Sequence, residues 1–181
     1  MASSESRKIL VVYYSRSGAT RAVANAIARY CRADVEELRD VESRRGFGGY
    51  VRSAVEALRA QQGRIREPVR NPRDYDVVVL GTPVWAGHMS SPLRAYLAQC
   101  SVSGKQAAFF CTMGGRGAEN VFAELTRLTG QAPLATLAMT TREAAQRPED
   151  VRISKFAATL LDNKEIASAA DIAHGHLASA H

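Results

Sequence analysis

Two unbroken apolar runs, each leading into helical periodicity, constrain this chain more than any other feature. Ile9-Leu10-Val11-Val12-Tyr13-Tyr14 is a continuous apolar run rich in β-branched and aromatic residues, and Val77-Val78-Val79-Leu80 after Asp76 is a second apolar run. A strand without polar alternation is buried on both faces, which is the habit of a parallel sheet held between two layers of helix. The segment after the first run fits that reading. Val23, Ala24, Ile27, Ala28 and Cys31 lay one apolar face along a helix over Ala19 to Cys31. The same alternation continues along the chain. A weaker strand covers Val35 to Leu38, and a helix runs from Tyr50 to about Gln62. Pro92 to Gln99 reads as a helix with Ser91 as its cap and Pro92 at its first position. Strand Ala107 to Thr112, helix Ala118 to Leu128 closed by Gly130, strand Leu134 to Thr140 and a helix from about Glu149 to Leu161 complete the pattern. Five strand–helix pairs predict an α/β fold, because each right-handed crossover deposits a helix on one face of a parallel sheet.

Composition agrees with a single packed unit. The chain has 181 residues, 46% hydrophobic and 23% charged, a size and balance that support one core and exclude wholesale disorder. No repeat or Pro/Ser linker divides it. The reading is one domain over residues 1–161, followed by an Ala/Ser/His-rich tail over residues 162–181. Cys31, Cys100 and Cys111 are too few and too scattered for a disulfide framework, and no CxxC pair is present. The polar start MASSESRK and the brevity of the apolar run after it argue against a secretory leader or a membrane span, so a cytoplasmic setting is expected. His174, His176 and His181 in the tail do not make a metal site, and none is expected.

In parallel sheets of this kind, ligands bind beyond the C-terminal strand ends, where the strand order reverses. The loop after the first strand is Ser15-Arg16-Ser17-Gly18-Ala19-Thr20, opening directly into a helix. Three hydroxyls, a glycine and the N–H groups of a helix N-terminus make an anion cradle. The residues needed by several competitors are missing. There is no GxxxxGK[ST] for a nucleoside triphosphate and no GxGxxG for a dinucleotide. Tyr14 and Ser15 provide neither the acidic pair of a phospho-acceptor receiver domain nor the cysteine of a small tyrosine phosphatase. The plainer alternative is a strand–helix turn capped by Ser17. The loop after the third strand is Thr82-Pro83-Val84-Trp85-Ala86-Gly87-His88, with the chain's single tryptophan. An aromatic residue there suits stacking on a flat ligand, although it also suits a lid on the core. Thr112-Met113-Gly114-Gly115-Arg116-Gly117 ends the fourth strand, with glycines that admit a close ligand and donors on Thr112 and Arg116.

Taken together, the three loops resemble those of the flavodoxin family. Ser-x-Ser-Gly-x-Thr at 15–20 is similar to its FMN phosphate loop, Gly81-Thr82-Pro83-Val84-Trp85 to its flavin-flanking loop, and Phe109-Phe110-Cys111-Thr112-x-Gly-Gly to its third flavin loop. The resemblance spans about residues 7 to 161. It implies a three-layer sandwich around a five-stranded parallel sheet of order 2-1-3-4-5, without the long insertion in strand five. It implies FMN as cofactor, its phosphate held by Ser15, Arg16, Ser17, Gly18, Ala19 and Thr20. Thr82, Pro83, Val84, Trp85, Ala86, Gly87 and His88 would line the isoalloxazine, with Trp85 stacking. Thr112, Gly114, Gly115 and Arg116 would approach its pyrimidine edge. No catalytic residue is assigned; His88 is the one histidine placed to deliver a proton to the flavin.

The chain departs from the family in its charge. Electron-carrier flavodoxins are typically acidic, whereas this chain carries a formal net charge of +6, and His88 and Arg116 stand in the flavin loops. Nine arginines (39, 44, 45, 52, 59, 64, 66, 70 and 73) face four acidic residues between Arg39 and Arg73. That stretch reads as a solvated face, or as a docking surface for an acidic redox partner or NAD(P)H. Nucleic acid is not expected, since no groove-entering helix or aromatic sheet face accompanies the charge. Phe47 and Tyr50 read as the anchor of the following helix or as a fold over the flavin edge, and Cys111 as a buried thiol filling space or as a redox-sensitive one beside the flavin. The expected function is FMN-dependent electron transfer, or NAD(P)H-dependent reduction of a quinone-like or other small acceptor. The alternative is a non-catalytic binding or regulatory module that keeps the fold. Oligomeric state, including a homodimer, stays open.

Overall fold

The computed structural model describes residues 7–40, 65–147 and 150–162. The expected helix over Tyr50 to Gln62, the residues Phe47 and Tyr50, five of the nine arginines and the tail beyond Asp162 lie outside the described residues. Five strands form one parallel sheet: β1 (Ile9–Tyr14), β2 (Asp34–Leu38), β3 (Val77–Pro83), β4 (Gln106–Met113) and β5 (Thr136–Thr140). Their order is 2-1-3-4-5, so the chain reverses its winding direction between β1 and β3. The helices are α1 (Ala19–Cys31), α2 (Ser91–Gln99), α3 (Ala118–Thr129), α4 (Thr141–Gln146) and α5 (Val151–Leu161).

The unbroken apolar strands have the two-sided burial they were read for. Ile9, Val11 and Tyr13 face one hydrophobic layer with α1, α4 and α5. Leu10, Val12 and Tyr14 face the other, with Leu93 and Tyr96 of α2 and Val121 and Leu125 of α3. Each residue of β1 is buried, as a central strand between two helical layers requires. Gly81 on β3 stands in register with Tyr13 of β1 and Phe110 of β4, and the Phe110 ring occupies the space its missing side chain leaves.

Several boundaries differ from the sequence reading for local reasons. β3 runs on to Pro83 because Thr82 and Pro83 continue its pairing with Cys111 and Thr112. Helix α2 begins at Ser91, and its cap is Ser90. Ser90 leaves the helix end uncapped by its side chain and bonds Thr82 instead, its Oγ taking the Thr82 hydroxyl at 2.9 Å. The final helical region is two pieces. Thr140 accepts from the Glu143 amide while Glu143 accepts from the Thr140 amide, a reciprocal cap that starts α4 directly at the end of β5.

Candidate functional site

The loop after β1 folds as a turn tied by one hydroxyl. Ser15 Oγ accepts the Gly18 N–H at 3.1 Å, and Gly18, with φ of 98°, is the N-cap of α1. No side chain caps that helix end, and its first turn contains no acidic residue. The first N–H groups of an α-helix have no intrahelical acceptor, so this end presents a positive dipole and free donors. Arg16 and Ser17 are exposed, Ser15 and Gly18 half-buried, Ala19 and Thr20 buried. Nothing lies within 4 Å of the space in front of Gly18. A doubly charged phosphate fits such an end electrostatically and sterically. Ser17 is thus available at the rim and does not cap the helix.

Thr20, which the resemblance implies as a phosphate contact, is also bonded to the third loop. Its side chain is turned inward, and its Oγ1 lies 2.8 Å from Thr112 Oγ1 at the end of β4. The two hydroxyls join the first loop to the third. Arg21, next on α1, is engaged by Glu37 of β2, its Nε donating to Oε1 at 3.0 Å.

The loop after β3 is pinned at both ends. Thr82, wholly buried, accepts the Ser90 N–H at 2.9 Å, and Val84 N–H donates to Thr112 O at 2.8 Å. Between them, Trp85 and His88 exchange two backbone hydrogen bonds of 2.9 Å. The residues they enclose both have positive φ, 49° at Ala86 and 82° at Gly87, which makes a tight type I′ turn. Glycine adopts this conformation freely, whereas alanine holds it at a cost of about 1 kcal/mol. The turn throws Ala86 and Gly87 outward and turns Trp85 in.

Trp85, which the resemblance implies as the stacking residue, has its ring turned toward the sheet. It is 7% exposed, and its ring meets Tyr14 edge-on, with centroids 5.5 Å apart and planes at 83°. In this position the indole closes the hydrophobic layer above β1, and its neighbours Val84 and Ala86 line the cleft. His88 is half-buried and its Nδ1 faces Glu124 Oε2 at 3.9 Å. Cys111 is buried at the end of β4, its thiol pushed up to about 12 by burial, so it stays protonated and inert at neutral pH.

A cleft of about 770 Å³ opens between the second and third loops. Val84, Ala86 and Gly87 form one wall, and Gly114, Gly115, Arg116 and Gly117 the other, with Asn120 of α3 at the base. The volume is that of an ordinary cofactor site. Gly117 sets its narrow end. A Cβ there would come within 3.0 Å of Val84 Cγ1 and 3.2 Å of Gly87 Cα, and its φ of 101° already excludes most side chains. Gly117 belongs to the glycine loop read from sequence, whereas Asn120, one residue within an ordinary helix, carries no sequence signal for the site.

The observed geometry thus brings together, at one end of the sheet, an uncapped helix N-terminus and a glycine-walled cleft, joined by the Thr20–Thr112 bond. Among solved structures, the chain is similar to a Lactobacillus acidophilus flavoprotein crystallised with FMN, at 21% identity and a TM-score of 0.62 over 77% of this chain and 97% of that one. It is similar to a WrbA-like flavodoxin from Agrobacterium tumefaciens, at 18% identity and a TM-score of 0.55 over 84% of this chain and 96% of that one. Megasphaera elsdenii flavodoxin aligns at 20% identity and a TM-score of 0.53, over 83% of this chain and 98% of the other. These likenesses establish the architecture. The sequence profile of the flavodoxin family matches residues 8–145, which is most of the chain. The chain belongs to the flavodoxin family, whose cofactor is FMN.

Proposed function

We propose that this chain is an FMN-dependent redox protein that takes electrons from NAD(P)H and passes them to a quinone-like or other small acceptor. The observation that carries the reading is the cleft between the second and third loops, open to solvent and lined by Arg116 together with glycines. FMN would place its phosphate against the α1 N-terminus, held by Ser15, Ser17 and the amides from Gly18 onward, and its ring system in the cleft. When bound, FMN supplies the electron or hydride chemistry. The protein's part is to grip the phosphate, hold the ring between the Val84–Gly87 and Gly114–Gly117 walls, and leave an edge open to a second molecule. Arg116 favours the reduced, anionic cofactor by Coulomb attraction, and its exposed position suits an anionic donor.

The simpler member of the same class is a one-electron shuttle to a redox partner protein. Stopped-flow mixing of the FMN-loaded chain with NADPH and with NADH separates the two. Bleaching of the flavin bands within the mixing experiment is the expected result; no bleaching by either nucleotide leaves the shuttle. The positive groups near the cleft also predict a reduction potential less negative than that of acidic flavodoxins, checked by potentiometric titration. A non-catalytic module would purify colourless and stay so after incubation with FMN.

The phosphate loop has its own test. Ser17→Ala is expected to weaken FMN binding about tenfold, the loss of one hydrogen bond to a charged group. The same change should leave riboflavin, which lacks the phosphate, bound as before. Fluorescence-quenching titrations measure both, and equal affinity of variant and wild type for FMN would remove Ser17 from the site.

A further inference from the structure

Two charges behind the cleft have no role in the reading above. Arg94, in the first turn of α2, is 7% exposed among Leu93, Ala95 and Tyr96. Its Nη2 pairs with Glu124 Oε1 on α3, while its buried Nε has no hydrogen-bond partner among the described residues. Glu124 uses its second oxygen on the loop after β3. Oε2 accepts the Met89 N–H at 3.1 Å and stands 3.9 Å from His88 Nδ1. One carboxylate thus ties α2, α3 and the Ala86–Gly87 turn together. Asn120, one helical turn before Glu124, is at the base of the cleft, 3.7 Å from where a Cβ on Gly87 would sit.

Stability gives little reason for this arrangement, since buried ion pairs are often matched or exceeded by apolar residues of the same shape. Its place behind a cofactor cleft gives a better one. Arg116 is exposed and its field is screened by solvent, but a charge on buried Arg94 would be screened far less. Among the described residues, His88 is the further titratable group that approaches Glu124. We propose that Glu124 is a positioning residue for the cofactor: it cancels the Arg94 charge behind the cleft and holds the Met89 amide, so that the Arg94–Glu124 pair sets the reduction potential of the bound flavin. The inference rests on the FMN reading.

The two charges predict shifts of opposite sign, which structural damage alone does not produce. E124Q exposes the cofactor to Arg94 and should raise the preference for reduced over oxidised FMN on the order of tenfold. R94Q leaves the carboxylate without its cation and should lower that preference by a similar factor. R94Q/E124Q should fall back between them, near wild type. The measurement is a dithionite titration of the FMN-loaded full-length chain against a reference dye, with circular dichroism confirming the fold of each variant. Should E124Q fail to fold, R94Q compared with R94Q/E124Q isolates the Glu124 charge, with R94Q at the more negative potential. Equal potentials in all folded variants, or shifts of the same sign for both single changes, overturn the inference alone. A wild-type chain that takes up no FMN overturns the cofactor reading and this inference with it.

Discussion

Glu124→Ala is expected to destabilise the protein by about 3–5 kcal/mol, the usual consequence of stripping the partner from a buried charge. The cause is Arg94, whose guanidinium is buried and is paired across to α3 by Glu124 alone among the described residues. With Glu124 gone, Arg94 loses its ion pair and the Met89 amide loses its acceptor. For a chain of this length the effect corresponds to a fall in melting midpoint of roughly 10 °C. Thermal denaturation followed by circular dichroism reads it. Arg94→Met in the Glu124→Ala background should recover much of the loss by removing the stranded charge. A melting midpoint unchanged by Glu124→Ala would mean that Arg94 is hydrated in solution.

Gly81→Ala is expected to cost about 3 kcal/mol for a steric reason. A methyl built on Gly81 overlaps the Cζ and Cε1 atoms of Phe110, and neither neighbour can step aside. Phe110 is wholly buried on β4, in register with Gly81, and Tyr13 stands on the other side. Overpacking in a closed core typically costs 1–3 kcal/mol, and a central strand clamped by two partners is at the high end of that range. Urea titration measures the loss as a lower midpoint at unchanged slope. The shorter side chain in Gly81→Ala/Phe110→Leu should restore part of it. If the double variant is less stable than Gly81→Ala alone, overlap with the ring is not the cause.

These two sites mark the boundary of what the sequence discloses. Buried strands and amphipathic helices are written in local periodicity, and the limits of β1 and α1 read from periodicity coincide with those observed. The start of α4 is equally local, in the Thr140–Glu143 cap, yet the sequence reading has a helix only from about Glu149 and none over Thr141–Gln146. The three loops of the site were identifiable because the strand ends place them and their residue types are unusual. The orientation within a loop was less accessible. Trp85 turns inward because two positive-φ residues follow it, and alanine at the first of them gives no hint of that conformation. The Arg94–Glu124 pair was hidden for another reason. Each residue is a single charge on an otherwise ordinary helix, and only the packing of α2 against the β3 loop and α3 shows that the two charges meet.

The hydroxyl bond between Thr20 and Thr112 has a consequence for how affinity is achieved. It couples the end of β4 to the first turn of α1, and Val84 bonds the carbonyl of the same threonine. The three loops therefore share one anchor, Thr112, which is 3% exposed and has little freedom to yield. A ligand that touches all three meets a frame already assembled, with little loop entropy left to lose on binding. Recognition in such a frame is closer to a key entering a finished lock than to a hand closing, and contact chemistry, more than loop ordering, decides which ligand stays.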